Sequence, residues 1–223
     1  MKKILDMLTV VTPMRNEEET AELFMQRLLP ALERNSSKWK IIVPLTATDK
    51  TQQILDTYEV ETVDVPPGLG RAYKAGLAKA IEEGDESGPV LTLDTDLSHL
   101  PEEMDMLIAT DADLVLGARA ETGSRFHRRM VSNLVNSILL GPYTDYTSSY
   151  RLYSRPLLKR VLPEMRSNGF AFMPEIVFRS IRADFKVSQV TVSFPPRVAG
   201  ESKMSYRSNL KDYIRFLAWR YFR

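Results

Sequence analysis

Short apolar runs rich in β-branched residues alternate with segments of helical periodicity through the first half of the chain, and this alternation leaves few architectures open. Leu8-Thr9-Val10-Val11-Thr12 predicts a strand, and apolar residues at helical spacing predict a helix from Glu17 to Leu32. Trp39 to Leu45 predicts a second strand and Lys50 to about Tyr58 a helix. Val60 to Val65 predicts a third strand, after which the Pro66-Pro67-Gly68 turn leads into a helix from Arg71 to Glu82. Pro89 to Leu93 predicts a fourth strand, a short helix begins at Pro101, and Asp113 to Gly117 predicts a fifth strand. Strands joined by helices run parallel, and parallel sheets are covered on both faces. The expected class is therefore α/β, a Rossmann-like, mostly parallel sheet with helices on both faces. Ligands of such sheets lie beyond the carboxyl ends of the strands.

After about Ala120 the rhythm changes. Arg128 to Leu140 and Arg155 to Leu162 predict helices and Val187 to Phe194 a strand. A last amphipathic helix starts near Ser205, with Tyr206, Leu210, Tyr213, Ile214, Leu217 and Tyr221 on one face and Arg207, Lys211 and Arg215 along another. No repeat or linker interrupts the chain, so residues 1–204 are expected to form one catalytic unit and 205–223 an appended helix. That helix either caps the core or lies in a membrane interface. The 27 residues from Arg197 to Arg223 hold seven basic and two acidic side chains, although the net charge of the whole chain is only +1. Such a bias fits an anionic partner, phosphates or a lipid surface, as well as a solvated helix face.

The other bulk features mainly exclude. With no cysteine there is no disulfide scaffold and no thiolate metal site. No apolar run reaches the length of a membrane-spanning helix. Met1-Lys2-Lys3-Ile4-Leu5 faintly resembles the start of a signal peptide, but Asp6 interrupts the apolar stretch, and a buried first strand is the reading adopted.

Leu91-Thr92-Leu93-Asp94-Thr95-Asp96 carries a buried strand directly into two carboxylates one residue apart. At a strand end both acids can turn toward one point. Hard oxygen ligands of this kind suit Mg²⁺ or Mn²⁺, which bridge diphosphate oxygens and stabilise a leaving diphosphate. By itself the pair also fits an acidic loop with helix caps. Asp94-Thr95-Asp96-Leu97-Ser98 fits an aspartyl-phosphate phosphatase signature too, but those enzymes carry it on the first strand, and here three strand–helix units come before it.

Taken in order, several segments resemble the family-2 glycosyltransferases, and within them the polyprenol (dolichol) phosphate mannose synthases. Val10-Val11-Thr12-Pro13-Met14-Arg15-Asn16-Glu17 is similar to the V-I-P-x-Y-N-E opening, and Gly68-Leu69-Gly70-Arg71-Ala72 with Gly76 to the G-L-G-x-A-x-x-x-G helix start. Leu93 to His99 resembles the D-A-D-L-S-H metal motif, and Gly117-Ala118-Arg119 the G-x-R motif. Asp145 to Tyr153 resembles D-x-T-S-G-F-R-L-Y, and Gly169-Phe170-Ala171-Phe172 with Glu175 resembles G-Y-x-F-x-x-E. Phe194 to Lys203 is similar to F-x-x-R-x-x-G-x-S-K. The correspondence runs over nearly the whole chain.

The resemblance implies a GT-A fold and an inverting transfer of a sugar, most simply mannose from GDP-mannose, to a polyprenyl (dolichyl) phosphate. It also implies a cytoplasmic enzyme held peripherally at a membrane surface, with no nucleic-acid partner. Asp94 and Asp96, with Ser98, are the expected metal ligands. Pro13, Arg15, Glu17, Gly70, Arg71 and Asp94 are expected to bind the donor. Arg119, Arg128, Ser132, Arg197 and Lys203 are expected at the acceptor phosphate, because a guanidinium fork binds phosphate bidentately. Asp94, Asp96, Arg119, Arg197 and Lys203 form the expected catalytic set. His99 and His127 lack metal-ligand spacing and read as structural.

Two departures stand out. Where the family carries an acidic pair after the second strand, this chain has Pro44 and Leu45, and of that motif only Asp49 and Thr51 remain, as a helix cap. Arg15 replaces the usual tyrosine, and a guanidinium can stack on a base in its place. The Pro44-Leu45 change also leaves open a non-catalytic relative that binds lipid or a partner enzyme. A transferase acting on a saccharide or protein is a further alternative, disfavoured by the Arg197–Lys203 segment.

Overall fold

The computed structural model describes residues 4–83, 88–120 and 143–197, and a helix at 206–221 whose side chains are described for 211–218. Arg128, Ser132 and Lys203, together with the helix expected from Arg128 to Leu140, lie outside the described residues.

Among the described residues eight strands form one sheet: β1 (Leu8–Val11), β2 (Met14–Arg15), β3 (Trp39–Thr46), β4 (Glu61–Asp64), β5 (Val90–Thr92), β6 (Leu114–Arg119), β7 (Arg151–Tyr153) and β8 (Val187–Val192). β2 extends the line of β1 along β3, since Val11 faces Ile42 and Met14 faces Leu45 in the same register. The gap between them falls at Thr12-Pro13, where proline has no N–H to give the ladder. Across the sheet the order is then β4, β3, β1, β5, β7, β6, β8. All pairings are parallel except those of β7, which is antiparallel to both β5 and β6. The strand–helix alternation did not predict β7, which has three residues, all buried, and so offers no alternating pattern to read.

Helices cover both faces. On one side α1 (Ala21–Asn35), α2 (Thr51–Leu55) and α4 (Met104–Ile108) pack on the sheet through Phe24, Leu28, Leu55, Met104 and Leu107. On the other lie α3 (Leu69–Glu83), α5 (Arg155–Val161), α6 (Phe172–Arg182) and α7 (Tyr206–Tyr221). Their core is Tyr73, Leu77, Leu157, Phe172, Ile176 and Phe216.

The last helix corrects the expected face. Tyr213 and Leu217 pack against this core with Phe216, which is 4% exposed and meets Phe178 edge-on at 6.0 Å. Ile214, expected beside them, is 55% exposed, and Lys211 and Arg215 are also exposed. At about 100° per residue, 213, 216 and 217 fall within about 100° of the helix circumference, and 214 lies about 160° from 216. Asp212 also fixes the helix, its Oδ2 accepting from the backbone N–H of Gly169 (3.1 Å) and Ala171 (3.0 Å) at the start of α6. A carboxylate there satisfies donors that a helix leaves unpaired.

Insertion of β7 sets the scale of the catalytic end. It holds the exits of β5 and β6 two strand spacings apart, about 10 Å. Two clefts of about 340 and 720 Å³ open at the opposite, amino end of the sheet, and Asp94 and Asp96 line neither.

Candidate active site

The carboxyl ends of β1 and β5 and the segment leading into β7 are laced together by side chains. The Thr12 hydroxyl donates to the Leu93 carbonyl (3.1 Å) and the Thr92 hydroxyl to Ser149 O (2.6 Å), so the β5 exit is held from both sides. Asp94 follows at once, its side chain 36% exposed. Its Oδ1 accepts from the hydroxyl of Tyr73, a fully buried residue of α3, at 3.3 Å. Its backbone N–H donates to His99 Nδ1 at 3.2 Å. Burial pushes the His99 pKa down, against the opposing pull of Asp94 and Asp96, and the Asp94 N–H makes Nδ1 the accepting nitrogen, with Asp94 Oδ2 3.6 Å from it.

Asp96 is held more tightly. Its Oδ1 accepts the backbone N–H (3.0 Å) and the hydroxyl (2.5 Å) of Ser98. The turn that allows this puts Leu97 at φ 58°, a left-handed conformation costly for a bulky L-residue, of the order of 1–3 kcal/mol. Burial of Leu97, 1% exposed within the α1-side core, offsets that cost. Ser98, expected beside the two acids, turns its hydroxyl proton onto Asp96. The other oxygen of Asp96, Oδ2, lies 2.7 Å from Arg197 Nε. Arg197, expected at an acceptor phosphate, thus lies beside Asp96.

Arg119 ends β6. Its Nε and Nη2 donate to the two oxygens of Asp145 (2.5 and 2.9 Å), and Nη2 also to the Thr147 hydroxyl (2.5 Å). Asp145 is 4% exposed, and its carboxylate takes the backbone N–H of Thr147 and Ser148 as well. Burial alone would raise its pKa; the Arg119 charge and the hydrogen bonds from Arg119 and Thr147 outweigh it and hold the pKa below the usual value. The Arg119 guanidinium also lies 5.2 Å above the ring of Phe194.

The expected donor-side residues line the same end of the sheet. Pro13 is half-buried at the break between β1 and β2, and Arg15, at the end of β2, is exposed. The Glu17 N–H donates to the Thr51 hydroxyl (2.8 Å), and its carboxylate accepts from Thr20 (3.1 Å). Asp49 accepts the N–H and hydroxyl of Thr51 at 3.0 and 2.6 Å, the capping role expected of it. Pro44 and Leu45 are buried, Leu45 in the α1-side core, and neither carries a polar side-chain group.

Gly70, the second residue of α3, lies against the loop at 167–169, and a Cβ there would lie 2.7 Å from the Asn168 backbone carbon and 2.8 Å from Gly169 O. Only glycine permits that approach. Arg71 donates its backbone N–H to Asn168 O (3.2 Å) and its Nη1 to Pro67 O (3.1 Å). The loop is held from beneath by Glu175, 1% exposed, which accepts from the N–H of Arg166 and Ser167 and from Arg179 Nε at 2.8 Å.

The two acids fit a divalent ion. Mg²⁺ typically binds through one or two carboxylates plus substrate phosphates and water, so two aspartates at a strand exit suffice when a diphosphate supplies the rest. Among the described residues no cluster of three or more His, Cys, Asp or Glu side chains forms an all-protein cage. Sequence reasoning missed Tyr73 and the functional contact of His99. Both sit inside motifs already recognised, one after Gly70-Arg71-Ala72 and one closing Asp94–His99, and that adjacency was the available signal.

The mostly parallel sheet, with this carboxylate pair at the β5 exit, has the GT-A fold. Residues 9–162 match the model of glycosyl transferase family 2, and the chain belongs to that family. It is 32% identical over 217 residues to the undecaprenyl-phosphate mannosyltransferase of Micrococcus luteus, covering 89% of this chain and 87% of the relative. It is 31% identical over 222 residues to the polyprenol monophosphomannose synthase of Mycolicibacterium smegmatis, covering 91% and 82%. In fold it is similar to the glucosyl-3-phosphoglycerate synthase of Mycobacterium tuberculosis, solved with Mn²⁺, uridine diphosphate and phosphoglyceric acid. That match has a TM-score of 0.74 at 18% identity and covers 96% of this chain and 78% of the other.

Proposed function

We propose that the protein transfers a sugar, mannose first among candidates, from a nucleotide sugar such as GDP-mannose to a polyprenyl phosphate, with inversion and with Mg²⁺ or Mn²⁺ in attendance. The observation that carries this reading is the Asp94–Asp96 pair at the β5 exit with Arg197 2.7 Å from Asp96. Carboxylates for an ion and a cation for phosphate thus meet at one point. The activities named for the two mannosyltransferase relatives support the acceptor class.

In this reading an oxygen of the lipid phosphate attacks the anomeric carbon. The bond from that carbon to the diphosphate breaks, and its electron pair leaves with the nucleoside diphosphate. The nucleophile is already ionised near neutral pH, so no strong general base is required. A divalent ion, when bound by Asp94 and Asp96, neutralises charge on the departing diphosphate. The chain's own part is positional. Tyr73 and His99 fix Asp94, Ser98 fixes Asp96, and Arg197 offers its fork to the phosphates gathered there. We assign the enzyme to the cytoplasmic face of a membrane as a peripheral protein, with exposed Lys211, Ile214 and Arg215 of α7 toward the lipid. No helix among the described residues is long and apolar enough to cross a bilayer.

Offering a panel of sugar nucleotides with polyprenyl phosphate and Mn²⁺, and following label into the organic phase, tests the reaction. Because Pro44 and Leu45 are buried and apolar where the family has acids, guanosine- and uridine-linked donors should both be used. A site with fewer polar partners rejects analogues less strongly. A preference above about a thousandfold for one base, roughly 4 kcal/mol, would contradict this tolerance. Arg197→Ala should raise the apparent constant for the lipid phosphate by about one to two decades, the value of a charge-assisted contact of roughly 1.5–3 kcal/mol. If the nucleotide sugar alone were weakened, Arg197 would belong to the donor side.

A further inference from the structure

His99 stands between two parts of the site, the backbone of the first metal carboxylate and the segment that carries Arg197. It is 1% exposed. Thr92 is the last residue of β5, so the N–H of Asp94 lies beyond the ladder. The imidazole accepts a hydrogen bond from that N–H at Nδ1 (3.2 Å), which fixes the peptide plane entering Asp94 and hence the direction of its side chain. The same ring packs between two others. Tyr150 lies on one side, centroids 5.4 Å apart and planes at 30°, and its hydroxyl is anchored on Leu100 O at 3.0 Å. Phe194 lies 5.6 Å away at 55° and has the Arg119 guanidinium over it at 5.2 Å. Phe194 is three residues before Arg197, so its seat on His99 sets where that arginine leaves the sheet.

We infer that His99 is a positioning residue with two separable functions, orienting Asp94 through the Nδ1 hydrogen bond and seating Phe194, and with it Arg197, through its ring face. The inference rests on the proposed metal role of Asp94. A histidine that only fills the core would give neither function separately.

Two substitutions divide them. His99→Phe keeps a ring for Phe194 but leaves the Asp94 N–H without its acceptor. His99→Asn places an amide oxygen where Nδ1 was and removes the ring. The readouts are affinity for Mn²⁺ alone, followed by loss of the free-ion electron paramagnetic resonance signal, and KM for polyprenyl phosphate. Partners of metal ligands are worth roughly ten- to a hundredfold in metal affinity. His99→Phe should therefore weaken Mn²⁺ binding by about tenfold or more and leave the acceptor KM nearly unchanged. His99→Asn should do the reverse, with Mn²⁺ affinity near wild type and the acceptor KM raised severalfold. Phe194→Leu, which leaves His99 in place, should reproduce the asparagine pattern and stands in should that variant not fold. Both readouts moving together in each variant, or neither moving, overturns the inference. Asp94→Ala measured in parallel separates the two levels. Unchanged Mn²⁺ binding there refutes the metal reading itself, whereas lost binding there with unchanged binding in His99→Phe refutes only the role of His99.

Discussion

Alanine at Asp94 or at Asp96 should abolish sugar transfer, by at least about three decades, with the far-ultraviolet circular dichroism of the folded protein retained. The expected loss reflects leaving-group stabilisation worth several kcal/mol, which two carboxylates provide only through an ion. The two variants should differ in stability. Asp94 is 36% exposed at its side chain, and the packed Tyr73 hydroxyl is the main group its loss leaves behind. Asp96 is 7% exposed and holds the Ser98 N–H, the Ser98 hydroxyl and Arg197. Its removal leaves donors unsatisfied and should lower stability by about 1–3 kcal/mol. Retained turnover in either variant, or full wild-type turnover in excess chelator, would remove the ion from the mechanism.

A second large effect is expected in stability. Asp145→Ala takes away the carboxylate that binds the Arg119 side chain twice and accepts three backbone N–H groups, leaving a guanidinium 15% exposed and without its counter-charge. Breaking such a pair from one side costs about 3–5 kcal/mol, which urea unfolding at pH 7 would measure. The sign of the pH dependence follows from the lowered Asp145 pKa. A carboxyl whose folded pKa lies below its unfolded value, about 3.9, stabilises the protein above that value and loses the contribution as pH falls through the folded pKa. The gap between wild type and Asp145→Ala should therefore be full at pH 7 and narrow below about pH 4. A gap independent of pH would mean that Asp145 acts by shape and not by charge.

The sequence made the parallel half of the sheet readable because strands such as Val10-Val11 and Ile41-Ile42-Val43 are continuous apolar runs, and the helices between them carry helical spacing. It hid α6, whose Phe172-Met173-Pro174 start resembles loop chemistry until Pro174 is recognised in the first turn, where proline is tolerated. Asp94, Asp96 and Arg119 were found in place at strand exits, as motif positions implied. What no single motif could express was pairing between motifs. Arg119 and Asp145 belong to two separate signatures 26 residues apart, yet they spend their charges on each other. Arg197 and Asp96, a hundred and one residues apart, do likewise. Such contacts depend on which strand ends become neighbours, and β7 alone decides that for β5 and β6.

The position of β7 also bears on the order in which the chain can assemble. Thr9 must find Val90, and Leu114 must find Val187, but the strand between those two pairs is made from residues 151–153. During synthesis β5 and β6 therefore each present a bare edge until Arg151–Tyr153 arrives, and neither can close on the other without shutting the third strand out. Long-range pairings of this kind are slow to form, and unpaired strand edges invite pairing with other chains. The same central slot that spaces Asp94 from Arg119 is thus open to misassembly in the nascent protein. A chaperone that shelters the growing chain would cover that slot after Arg119 is made and before Tyr153 is.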